Sequence, residues 1–314
     1  MSRYVFGVDV GGTAIKFGLF NTEGELLEKQ SVPTDTAQGG VRILPAVAET
    51  IKSMLAQRNL TAEALDGVGM GLPGPVDGAG IVHGCINLGW GTVDAAGKLR
   101  DLLGGKVKVV AANDANAAAL GELRFGGGKG YASAVVVTLG TGVGGGIVMG
   151  NGVLPGTNGA AGELSHMTVD PTETEKCACG KCGCLEQYAS ARGIVRVAKR
   201  LMARSDTPSA LRSMDEFTSV EICKLASEGD DVCVAALDVC AEAIGRALSF
   251  TACVVDPEVF ILGGGMSRAG DVLFEPVRAY YRKYAFTPSR ETPIIPAELG
   301  NDAGIFGCAA LILN

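Results

Sequence analysis

Val8-Asp9-Val10-Gly11-Gly12-Thr13, followed by Gly18-Leu19-Phe20-Asn21, returns later in the chain as Val137-Thr138-Leu139-Gly140-Thr141-Gly142, followed by Ile147-Val148-Met149-Gly150-Asn151. The second copy needs one inserted residue to align with the first. Each reads as an apolar strand, a glycine turn and a second strand, because β-branched and apolar runs bounded by glycine favour strands. Two such units in one chain predict a duplicated α/β lobe.

Working outward, the first copy spans strands at Tyr4–Val10 and Ala14–Phe20, with a third at Leu26–Val32. Ile43, Val47, Ile51 and Leu55 recur at helical spacing. A strand at Gly67–Met70 runs into a Pro-Gly loop at 73–80, and another at Val107–Ala111 precedes Asn113-Asp114 and an alanine-rich helix to Leu123. The second copy spans a strand at Ala134–Leu139, a glycine turn at Gly140–Gly145, a strand at Gly146–Met149 and a turn at Asn151-Gly152. Helices are expected at Ser190–Ala203, Val220–Ala226 and Val232–Val255, then a strand at Val259–Leu262 entering Gly263-Gly264-Gly265. The 314 residues suit two domains. We expect one lobe of residues 1–112 with a C-terminal helix at 300–314, and a second of residues 113–299.

Composition narrows the classes. A hydrophobic share of 47% supplies enough apolar surface to exclude disorder. Glycine accounts for 46 residues, clustered in loops as where backbone approaches a ligand closely. A formal charge of −7 and a pI near 5.0 exclude nucleic acid as the main partner. Asp9 interrupts the first apolar run, so no signal peptide is expected, and no stretch reaches membrane-spanning length. The expectation is a soluble, cytoplasmic protein. Of ten cysteines, six lie scattered in apolar contexts and four fall between Cys177 and Cys184. Such clustering in an intracellular chain points to a metal rather than to disulfides.

Four stretches carry chemistry. In Asp9-Val10-Gly11-Gly12-Thr13, small residues let backbone N–H groups and the Thr13 hydroxyl approach phosphate oxygens. Asp9, an acid within an apolar strand, needs a partner or a cation, and we assign it Mg²⁺ through water. Gly140-Thr141-Gly142-Val143-Gly144-Gly145 matches the dinucleotide fingerprint, and Glu163 follows about 20 residues on, so a dehydrogenase competes. That fingerprint requires a helix after the glycines, where this chain reads as a strand. No P-loop motif occurs. Asn113-Asp114 suits a helix N-cap, and it also places a carboxylate able to accept a hydroxyl proton. Glu163 and His166, with Cys177, Cys179, Cys182, Cys184 and Glu186, suit tetrahedral Zn²⁺ in a closed, structural site. His83 is read as structural.

Taken in order, these motifs resemble the ROK family (repressors, open reading frames and sugar kinases), within the actin-like, sugar-kinase and Hsp70 ATPase fold. The resemblance runs from Asp9 to Asn314. It rests on the D-x-G-G-T loop, the G-x-P-G loop at Gly71–Gly74, Asn-Asp-Ala-Asn at 113–116 and L-G-T-G-x-G-G-G at 139–146. To these add E-x-x-H, C-x-C-G-x-x-G-C-x-E and Leu262-Gly-Gly-Gly-Met-Ser267. It implies a two-lobed α/β, ribonuclease H-like fold with an active site in the interlobe cleft and a structural zinc loop.

It further implies transfer of the γ-phosphoryl of ATP to a hexose, glucose first, with N-acetylhexosamines or fructose as alternatives. Asp114 would be the base, and Asn113, Glu163, His166 and Glu186 would grip sugar hydroxyls, with Gly74 and Asn87 closing the far side. His166, Cys177, Cys179 and Cys184 would hold zinc. Asp9, Gly11, Gly12, Thr13, Lys16, Gly140, Thr141, Gly142, Gly264 and Gly265 would hold Mg-ATP. A homodimer or dimer of dimers is the family expectation. The family's E-x-G-H reads here as Glu163-Leu164-Ser165-His166, which adds a side chain beside the sugar. Repressors of the family carry a helix-turn-helix ahead of the first glycine loop; with eight residues before Asp9, that role is not expected.

Overall fold

A computed structural model describes residues 3–150 and 152–313. The elements run β1 (Tyr4–Val10), β2 (Ala14–Asn21), β3 (Leu26–Pro33), α1 (Ala37–Gly40, one turn), α2 (Ile43–Ala56), β4 (Leu65–Leu72), β5 (Ile81–Cys85), β6 (Trp90–Asp94), α3 (Ala95–Leu102), β7 (Val109–Asn113) and α4 (Asp114–Phe125). They continue as β8 (Ser133–Leu139), β9 (Val143–Met149), β10 (Gly152–Val153), α5 (Glu186–Ala189), α6 (Ala191–Arg204), α7 (Ser219–Ser227), α8 (Asp231–Val255), β11 (Val259–Gly263), α9 (Asp271–Tyr284), β12 (Ile294–Pro296) and α10 (Ala303–Ala310). No helix among the described residues is long and apolar enough to cross a membrane.

The chain is α/β, and its two five-stranded sheets repeat one strand order, β3-β2-β1-β4-β7 and β10-β9-β8-β11-β12. In the first, β1, β2 and β3 form an antiparallel meander while β1, β4 and β7 run parallel. In the second, β9 and β10 are antiparallel while β8, β11 and β12 run parallel. The sequence echo is thus matched by a topological one.

Contacts divide the described residues into two units, one from 1–133, 146–162 and 299–314, the other from 134–145 and 163–298. This places α4 and residues up to 133 with the first unit, whereas a boundary after residue 112 assigned them to the second. The reason is backbone contact. A Cβ on Gly121 of α4 would lie 2.7 Å from the Gly307 nitrogen of α10, and a Cβ on Gly307 would overlap the Ala117 carbonyl. These two helices cross with main chain against main chain, so α4 cannot be separated from α10. Another face of α10 packs on the sheet, where a Cβ on Gly7 or Gly69 would overlap the carbonyls of Ile305 or Cys308. α2 contributes buried Ile43, Val47, Ile51, Met54 and Leu55 to the same unit's core.

In the second unit, α8 is a 25-residue helix that buries residues all along its length, from Val232 to Ala252. Asp230 caps it, its carboxylate accepting from the Cys233 N–H at 3.1 Å. Strand β9 begins at Val143, three residues before the expected start, so the turn contracts to Gly140–Gly142, with the Gly140 N–H donating to the Gly142 carbonyl at 2.9 Å. The β5–β6 hairpin, α3, α9 and β12 carried no readable period. Pro276 inside α9 and a hairpin bend that includes Gly89 at φ +71° mask their signals. The turn expected at Asn151-Gly152 includes Asn151, which lies outside the described residues.

Gly307→Ala should destabilise the protein by about 2–4 kcal/mol, the scale of forced overpacking between rigid backbones. Urea unfolding measures this. A loss below about 0.5 kcal/mol would show that the α4–α10 contact is not tight.

Candidate active site and metal centre

In the first unit the carboxyl ends of three parallel strands converge. Asp9 of β1 pairs in register with Gly71 of β4, and Leu72 pairs with Asn113 of β7. One strand separates Asp9 from Asn113, a lateral spacing of about 10 Å. Ligands of open α/β sheets bind outside such strand ends. Asp9 is largely buried, and burial pushes its carboxyl above the ordinary aspartate range, opposed by Lys16. The Lys16 Nζ lies 3.5 Å from Asp9 Oδ2 and donates to the Asn301 carbonyl at 3.1 Å. The backbone of α10 comes so close that a Cβ on Gly304 would sit 2.6 Å from Asp9 Oδ2. A single carboxylate beside a phosphate loop is the protein share of many Mg²⁺ sites, whose remaining ligands are water and phosphate oxygens.

Asn113 is the N-cap of α4, its Oδ1 accepting from the Asn116 N–H at 3.1 Å. The amide also donates from Nδ2 to the Gly74 carbonyl at 3.1 Å. The cap is therefore filled without Asp114, the first helical residue, whose half-buried carboxylate accepts from the Ala115 N–H at 2.8 Å. Gly74 itself has φ +90°. Gly12 and Thr13 form an exposed turn closed by a hydrogen bond from the Gly11 N–H to the Ala14 carbonyl at 3.0 Å. A Cβ on Gly12 would lie 3.6 Å from the Asn87 carbonyl, so these two predicted residues are neighbours.

In the second unit the glycine turn after β8 and the glycines after β11 share one cavity of about 630 Å³. Gly140, Thr141 and Gly265 line it. Gly264 has φ +85°, and a Cβ there would sit 2.5 Å from the Leu139 carbonyl, so no other residue fits. The opposite wall comes from α7, with Ser219, Val220, Cys223 and Lys224, together with Met266 and Arg268. Motif reading missed this wall. A signal for its start was present, since Thr218 and Glu221 form the capping box that opens α7. The turn enters strand β9 rather than a helix, so the dinucleotide fingerprint lacks its required context.

Glu186 opens the one-turn helix α5, and its Oε2 accepts from the Val143 N–H at 3.1 Å. A Cβ on Gly142 would lie 2.5 Å from that same oxygen. The glycine turn and Glu186 are thus one constellation, a link that sequence spacing did not reveal. Glu163 is exposed at the start of a short turn, and its carbonyl accepts from the His166 N–H at 3.2 Å. Ser165 is only 3% exposed, so the extra side chain lies in the interior.

His166, Cys177, Cys179 and Cys184 place their ligand atoms within 4.8 Å of one another. The Cys179 and Cys184 sulfurs lie 3.6 Å apart, close to the edge of about 3.8 Å expected for thiolates on tetrahedral zinc. The buried Nδ1 of His166 has no hydrogen-bond partner, the mark of a nitrogen waiting for a cation. Burial pushes the Cys184 thiol up to about 12, a cost that a shared cation removes by taking the thiolate. The donor set therefore fits zinc. Cys182 stands apart, with its sulfur 3.6 Å from the Thr174 carbonyl. The loop is tied back by Lys181, whose Nζ donates to the His166 carbonyl at 2.8 Å.

An α/β chain with a duplicated sheet, paired glycine turns and a three-cysteine, one-histidine loop defines a narrow class. The chain belongs to the ROK family, whose profile matches residues 5–314. It is 36% identical to a glucokinase of Halalkalibacterium halodurans over 99% of this chain and 95% of that protein. Among solved structures it is similar to a ROK hexokinase from Thermus thermophilus, with TM-score 0.81 and 32% identity, covering 98% of this chain and 97% of that one. It is also similar to a ROK family glucokinase from Streptomyces griseus in complex with glucose and AMPPNP, with TM-score 0.73 and 34% identity, covering 98% of each chain.

Cys182→Ser should keep one equivalent of zinc by elemental analysis, while Cys177→Ser and Cys184→Ser should lose it and lower the melting temperature. Retention by all three variants would remove the metal centre from this loop.

Proposed function

We propose that the chain is an ATP-dependent hexose kinase, a glucokinase that forms glucose 6-phosphate in the cytoplasm. The near full-length similarity to glucokinases carries this reading. The residue-level support is the start of α4, where Asn113 supplies the cap and the Asp114 carboxylate stands beside it at the strand end, accepting from the Ala115 N–H.

Asp114 takes the proton of the sugar 6-hydroxyl as O6 bonds to the γ-phosphorus and the bond to the bridging oxygen of ADP breaks. Phosphoryl transfer needs mainly positioning and charge neutralisation, so one carboxylate base suffices. Asn113, Glu163, His166 and Glu186 orient the remaining hydroxyls, with Gly74 and Asn87 completing the pocket. Glu186 commits Oε2 to Val143 and keeps Oε1 for sugar. Gly11, Gly12, Thr13, Lys16, Gly140, Thr141 and Gly142 receive the phosphates. The cavity bounded by α7 and Gly265, the residue after Gly264, receives the nucleoside. Asp9 would hold Mg²⁺ through water, and the ion would neutralise charge on the phosphates. His166, Cys177, Cys179 and Cys184 would hold zinc, which would stiffen the loop and leave the second nitrogen of His166 to face a hydroxyl. The working form is a homodimer or a dimer of dimers.

Asp114→Asn should lower kcat by about 10²–10⁴-fold, the range for loss of a positioned base, with little change in melting temperature. Turnover within about threefold of wild type would remove Asp114 from the base role.

A further inference from the structure

A second pocket lies in the second unit, between the C-terminal half of α9 and the segment that enters β12. It encloses about 230 Å³, below the size that takes a nucleotide. Its charged lining is Arg278, Arg282, Arg290 and one carboxylate, Glu291. We propose that this pocket binds a small phosphate dianion, either inorganic phosphate or the phosphate group of a monoester. The proposal stands independently of the hexose kinase reading.

Two of the three guanidinium groups are pinned by the backbone. Arg278 lies over the Phe274 ring at 5.3 Å and donates from Nε and Nη2 to the Ile294 carbonyl at 3.2 and 2.9 Å. Its Nη1 pairs with Glu275 at 2.7 Å, with Asp271 at 4.0 Å, so Arg278 is largely neutralised and forms a fixed wall. Arg290 donates from Nε to the Ala285 carbonyl at 3.2 Å. Its two outer nitrogens have no acceptor among the described residues. A guanidinium oriented by its Nε and open at its Nη edge is prepared for a planar, two-point contact with an oxyanion.

Arg282 faces the same space, and its one partner among the described residues is Glu291, through a loose pair at 3.4 Å. Glu291 is 79% exposed at its side chain, so it can turn to solvent when a stronger anion arrives. The Tyr281 hydroxyl donates to the Ser289 carbonyl and adds no competing charge. The lining thus leaves two arginines for two negative charges, with Glu291 as the occupant that the ligand displaces.

Binding is measured by calorimetry with inorganic phosphate and, separately, glucose 6-phosphate, on protein saturated with AMPPNP and glucose so that the kinase site is filled. At least one probe should bind. Arg282→Gln/Arg290→Gln should weaken binding by about tenfold or more, as expected for loss of charge-assisted hydrogen bonds. Glu291→Gln should tighten it by removing the competitor, a gain that a misfolded variant cannot give. None of the variants should change kcat/KM for sugar or ATP measured without added phosphate. Tighter binding of the ester would name a monoester as the ligand, and equal binding inorganic phosphate. No binding by either probe, or binding unaltered in the double variant, would overturn the proposal.

Discussion

The close approach of backbone to backbone around α10 is the constraint on which the first unit depends. Gly7 and Gly69 let the helix lie directly on β1 and β4, and Gly121 and Gly307 let α4 lie directly on the helix. Dispersion and exclusion of water act at the shortest separation there, because no side chain holds the elements apart. The same approach buries Asp9. With α10 against it, its carboxylate sits where the charged form is disfavoured and where a cation or Lys16 is its remedy. A scaffold contact thereby sets the electrostatics at the end of β1, where the first glycine turn begins.

The metal centre solves a different problem. Residues 163–186 hold little regular structure beyond short turns. Three sulfurs and one imidazole gather in this loop, and the cluster leads through Leu185 directly into Glu186, whose carboxylate accepts from the Val143 N–H beside the glycine turn. A metal on these four groups would therefore also steady a carboxylate two residues beyond Cys184, the outer-shell logic seen around many metals.

Much of this was legible in the sequence. The strand–turn–strand echo gave both meanders, and the apolar period gave α2. The cysteine spacing pointed to a metal, and the fold brings His166, Cys177, Cys179 and Cys184 within reach of one another while Cys182 stands apart. What escaped depends on long-range contacts. The α4–α10 crossing moved the unit boundary, because a helix following Asn113 says nothing local about which partner it packs on. The α7 wall was hidden for the same reason: a helix at Val220–Ala226 was expected, but nothing local says that Ser219, Val220, Cys223 and Lys224 stand beside the two glycine turns. Glu186 was found by motif, yet its hold on Val143 crosses 43 positions and leaves no pattern.

The central claim is a transfer of phosphoryl from ATP to a hexose. Its most direct measure is ADP formation by the purified protein across glucose, fructose, N-acetylglucosamine and N-acetylmannosamine, with the product identified by phosphorus NMR. ADP formation should depend on sugar, be fastest with glucose, and yield a phosphate ester at the 6-position. ADP formation indifferent to every sugar, or none at all, would contradict it.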